Sequence, residues 1–121
     1  MKFFLVGDVL YLFDLIQDLQ ISFTAILSAF TKQQVFGMLH QVQNLGCSVA
    51  MVRGIDGDGP EIVERLRDFI PQISVIALSQ SPQDWADITV HSSEGLLSTL
   101  KKLELLLLQE TPEKEMVPEE S

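Results

Sequence analysis

The sequence predicts a three-layer open α/β fold, a mostly parallel sheet of four or five strands between two layers of helices. Three observations carry that prediction. Short apolar runs alternate along the chain with segments of helical periodicity. The runs at 2–6 and 47–52 are apolar at nearly every position, as strands covered on both faces are. Finally, 121 residues with 46% apolar and 21% charged composition suit one domain with one core. Right-handed crossovers between parallel strands then give a flavodoxin-like order of 2-1-3-4-5.

The first strand, 2–6, is closed by Gly7-Asp8. Over 9–19 the polar residues Asp14, Gln17 and Asp18 recur at spacings of three and four, which predicts a helix. Ile, Phe and Thr enrich 21–30, the second strand. Thr31 followed by Gln34 has the spacing of a capping box, and Val35, Leu39 and Val42 continue one helix until Gly46 ends it. The third strand is 47–52, and the three glycines and two aspartates of 53–59 make a loop. Pro60 opens the next helix, with Glu61 favourably placed at its positive end. Ile62, Leu66 and Phe69 carry that helix to Pro71, and 73–78 is the fourth strand. A polar stretch, 79–87, leads to a short fifth strand at 88–91 and a last helix at 94–109. The domain is therefore expected over 1–109, with 110–121 a disordered acidic tail containing two prolines.

A net charge of −9 opposes binding to a phosphate backbone, so nucleic acid is not an expected partner. Asp8, Asp14 and Asp18 interrupt the apolar start, which accordingly reads neither as a signal peptide nor as a span inserted in a membrane. The single cysteine, Cys47, forms no internal disulfide and demands no oxidising compartment. The expected location is the cytoplasm, at most peripheral to a membrane complex.

In open α/β sheets ligands sit beyond the carboxyl ends of the strands, at the switch point in strand order. That rim holds Asp8, Arg53, Asp56, Asp58, Ser79 and His91. Asp8, Asp56 and Asp58 are the kind of ligands a hard cation takes, but solvated loop acids are the expected reading, so no metal is assigned. Gly54, Gly57 and Gly59 match neither phosphate-binding spacing, and the local acids repel an anion. His91, Ser92 and Ser93 lack the elbow of a serine nucleophile, and Ser92 or Ser93 is better placed to cap the last helix. His40 is expected to be structural and Cys47 buried. No catalytic residue and no cofactor is assigned, and the chain is not expected to be an enzyme.

The apolar surplus points instead to a protein partner or a homo-oligomer. Leu10, Tyr11 and Phe13 exceed what one sheet face needs, and Leu105 to Leu108 occupy a full helical turn, so Leu105 and Leu108 are expected to face outward.

Two families share features with these residues. Met-Lys-Phe-Phe-Leu-Val-Gly-Asp resembles the opening of the F subunits of V/A-type rotary ATPases, as do Leu12 to Ile16, the third strand with Arg53-Gly54, and 60–78. Arg53-Gly54 replaces a Thr-Glu pair of that family, and the acidic tail has no counterpart there. This resemblance implies a non-catalytic subunit of the central stalk whose last helix contacts the stalk or the catalytic head. Asp58-Gly59, Glu61, Leu66-Arg67 and Ala77-Leu78-Ser79 are similar to segments of response-regulator receiver domains. Arg53 stands where the receiver's acceptor aspartate would be, and Ser92 or Ser93 stands for its lysine. That resemblance implies a degenerate receiver, which binds a protein partner without phosphorylation.

Overall fold

Successive side chains of a strand point to opposite faces, and in the computed structural model β1 (Lys2–Gly7) uses this to serve two cores. The structure describes residues 2–21 and 25–116, apart from the side chains of Asp56 and 106–116. Phe3 and Leu5 of β1 join one buried cluster, and Phe4 and Val6 join the other. β3 (Val49–Arg53) divides in the same way, with Val49 and Met51 on one side and Ala50 and Val52 on the other. Both strands are buried on two faces because both are central. With β2 (Ala25–Ala29), β4 (Ser74–Leu78) and β5 (Ile88–Val90) they form one sheet in the order β2-β1-β3-β4-β5, every neighbouring pair parallel.

The helices follow the same division. α1 (Val9–Asp18) places Val9, Leu12 and Ile16 in the cluster of Phe3 and Met51, and α5 (Ser93–Met116) adds Leu96 and Leu100 to it. On the opposite face lie α2 (Lys32–Gly37), α3 (Leu39–Leu45) and α4 (Gly59–Phe69), bringing in Val35, Val42, Ile62 and Leu66. Among the described residues no helix is long and apolar enough to cross a membrane.

The structure departs from the sequence-based expectation in three places. The helix expected to run unbroken from Thr31 to Gly46 is two helices, since Met38 (φ −114°, ψ 4°) leaves helical geometry after Gly37. Glycine is a poor helix former, which lets the chain bend there and lay Val35 and Leu39 onto the sheet separately. β2 is shorter than 21–30, and residues 22–24 lie outside the described residues. α5 extends to Met116, past the expected end at Gln109, while the rest of the tail expected to be disordered lies outside the described residues. The predicted caps of this segment are present. Thr31 Oγ1 accepts from Gln34 N at 3.2 Å and Gln34 Oε1 accepts from Thr31 N at 3.3 Å, while Gly46 ends α3 at φ +80°.

Candidate functional site

The switch point between β1 and β3 is built on a close backbone approach. Gly7 adopts φ +94°, and a Cβ there would collide with the Arg53 carbonyl, so no other residue allows the chain to turn at this spot. The same carbonyl accepts from Asp8 N at 2.8 Å, which ties the start of α1 to the end of β3. Arg53 can then reach back over the turn. Its Nε lies 3.3 Å from Asp8 Oδ2, and its guanidinium carbon sits 3.8 Å from the centre of the Tyr11 ring. All three side chains are partly exposed, so these contacts contribute on the order of 1 kcal/mol each at most and mainly fix geometry.

The other wall comes from β4, β5 and the start of α5. Ser79 N donates to Val90 O at 3.1 Å, and His91 Nδ1 lies 2.7 Å from the Ser79 carbonyl. A carbonyl only accepts, so Nδ1 carries the proton. Ser92 caps α5, its Oγ accepting from Gly95 N at 3.1 Å. Together these groups enclose a cleft of about 410 Å³, with Leu15, Leu78 and Val90 as its apolar lining.

Four of the six rim residues named from sequence, Asp8, Arg53, Ser79 and His91, meet in this cleft. Asp58 does not. It lies 3.9 Å from Lys32 Nζ, which also binds Glu61 Oε1 at 2.9 Å, because the short turn at 56–58 carries it toward α2 and away from the rim. The Glu61 hydrogen bond and charge hold the Lys32 ammonium above its ordinary pKa. Asp56's side chain lies outside the described residues. Among the described residues no group of three histidine, cysteine or acidic side chains is placed to hold a metal ion. Asp8 faces the Arg53 guanidinium, and the Ser79 carbonyl engages the proton-bearing nitrogen of the His91 imidazole. The Asp8–Arg53 contact locks the β1–α1 turn, and the Ser79 carbonyl orients the imidazole through Nδ1, leaving Nε2 with its lone pair.

Of the residues expected at a partner surface, Leu10 and Tyr11 are 70% and 45% exposed and Leu105 is 59% exposed. Phe13 instead packs half-buried against the α1-side core, since its position on the helix turns it toward the sheet. Leu108 lies outside the described side chains. Cys47 is buried with its thiol 3.6 Å from the Phe3 carbonyl, and burial raises its pKa. His40 packs edge-on against Phe69 at 5.0 Å.

Sequence reading missed two features. Trp85 lies against Gly59 so closely that a Cβ on Gly59 would strike the indole, pinning the β4–β5 link onto the start of α4. A larger cleft, about 610 Å³, opens at the amino ends of β3 and β4 between Gln43, Cys47, Phe69, Gln72 and Leu103. Among the described residues no charged side chain lines it. Both arise from contacts between segments far apart in the chain, which local patterning does not encode. The chain matches no protein-family model and no curated protein.

Proposed function

We propose that the chain is a non-catalytic interaction subunit resembling the F subunit of the V/A-type ATPase central stalk. The observation that carries this reading is Arg53. At the end of the third strand, where a phosphoacceptor would need a carboxylate, Arg53 binds Asp8 and stacks on Tyr11, so the position holds a cation engaged by its neighbours. The link between β4 and β5 supports the same reading. It holds no helix and is held flat by Trp85 on Gly59 and by Asp87, which accepts from Val75 N at 2.8 Å and pairs with Arg67. A compact link suits a stalk subunit, whereas a receiver carries a helix there.

The second reading, a degenerate receiver, draws support from the five-stranded order and from Ser79 at the end of β4. Co-expression with the coiled-coil central-stalk subunit of the same organism's rotary ATPase decides between them. The expected result is a stable one-to-one complex by size exclusion with light scattering. Its absence sinks the stalk reading. Incubation with acetyl phosphate and magnesium is expected to leave the mass of the protein unchanged, and a gain of one phosphoryl group overturns both readings.

A further inference from the structure

α3 and α4 pack against each other on one face of the sheet, but on the other face α1 and α5 stand apart, with a groove of about 300 Å³ between them. Leu19, Gln20 and Ile21 form one wall. Leu97, Leu100, Lys101 and Glu104 form the other. Leu105 stands one helical turn beyond Lys101 and two beyond Leu97, so the exposed apolar side chain that the fold does not otherwise use continues the α5 wall.

The end of α1 is built against its own stability at this groove. Ile21 N donates to Ile16 O at 3.1 Å and Gln20 N to Gln17 O at 3.0 Å, the paired bonds of a Schellman ending. The left-handed position of that ending favours glycine, yet Gln20 occupies it at φ +55° and lends its side chain to the groove wall. Asp18 is the last residue of α1, at the negative end of the helix dipole, and no basic residue lies in that last turn. Asp14, one turn earlier and also exposed, repels it. Glu104 adds a further acid across the groove, where Lys101 is the single cation among the described lining residues.

We propose that this groove receives an amphipathic helix of a partner protein, its leucine-like side chains seated between Leu19, Ile21, Leu97 and Leu105 and its basic residues facing Asp14, Asp18 and Glu104. The proposal rests on the interaction-subunit reading above and names the chemistry of the partner segment. Charge opposes a second copy as the occupant, because two chains of −9 repel. The apolar walls supply anchors, and the uncompensated acids of α1 select the sign of the partner.

The test uses a fluorescein-labelled leucine–lysine peptide of about 18 residues with leucines at helical spacing, long enough to overrun the groove. It is expected to bind the full-length protein, with a scrambled peptide of equal composition weaker by about tenfold or more. Asp18→Lys and Leu105→Glu should each weaken binding by about tenfold. Glu64→Lys, the same charge change on α4 at the opposite face, should not. Hydrogen exchange on the wild type gives a readout that needs no variant, with protection expected at 19–21 and 97–105. Equal binding by the scrambled peptide, loss with Glu64→Lys as large as with Asp18→Lys, or protection elsewhere overturns the proposal. A wild-type dimer that Leu105→Glu dissolves also overturns it, in favour of a second copy. If the stalk complex forms and survives Asp18→Lys and Leu105→Glu, the groove assignment fails and the stalk reading stands. If the leucine–lysine helix binds as described and the stalk subunit does not, the stalk reading fails alone.

Discussion

Gln20 and Cys47 each carry a physical signature that a single substitution can read. A non-glycine residue in the left-handed region carries roughly 1 kcal/mol of strain, and glycine at the same place gives back part of that gain through its freer unfolded chain. Gln20→Gly is therefore expected to stabilise the fold by about 0.5 kcal/mol, a rise of about 2 °C in Tm. A fall in Tm would show that the Gln20 side chain stabilises the domain more than its backbone strains it. Cys47 makes a prediction in pH. Burial raises its pKa in the folded state, so its contribution is complete below the ordinary thiol value and is lost as pH rises from there toward the folded value. Between those limits the unfolded chain releases a proton that the folded chain keeps. Stability should decline above about pH 8.5, and Cys47→Ala should remove that part of the slope while lowering stability at neutral pH. An unchanged slope in Cys47→Ala would assign the decline to other groups.

Helix α2 ends at Gly37, where nothing lies within 4 Å of the position a Cβ would take and the backbone is not left-handed. Alanine fits there without strain, so Gly37→Ala should stabilise the α2–α3 segment by about 0.5–1 kcal/mol in chemical denaturation. Destabilisation would mean that the bend itself is required to seat Val35 and Leu39. That bend also marks where the sequence stops being informative. Capping at Thr31, termination at Gly46, Pro60 at the start of α4 and the doubly buried strands are local chemistry, and each lies where patterning put it. Gly37 carries no such signal, because a glycine in a helical pattern is tolerated as often as it bends the helix. The candidate cleft was legible to the same depth. Strand ends brought Asp8, Arg53, Ser79 and His91 together, as topology requires, while Asp58 went to Lys32, a partner 26 positions earlier that only the docking of α2 beside α4 supplies. The α1–α5 groove is of that second kind too, since two helices remote in sequence make it.

At the scale of the whole molecule, opposing electrostatic effects are separated by distance. The ion pairs Lys32–Glu61, Arg53–Asp8 and Lys32–Asp58 act across 2.9, 3.3 and 3.9 Å. Repulsion among the 17 acidic residues, set against only 8 basic ones, acts over the width of the domain. Raising salt from about 0.01 M to about 0.1 M contracts the Debye length from about 30 Å to about 10 Å. The contact pairs lie well inside both limits and lose little, and being exposed they contribute little to begin with. The long-range repulsion lies between the two limits and is largely removed. Thermal stability is therefore expected to rise over this range of sodium chloride, and to rise equally with potassium chloride, since screening depends on ionic strength rather than on the ion. A Tm that falls with salt would mean that the few close pairs outweigh the excess charge. Asp18→Lys reduces that excess by two and should flatten the salt dependence while raising Tm at low salt. The uncompensated acids at the end of α1 account for that direction, because the substitution also places a cation at the negative end of the helix dipole.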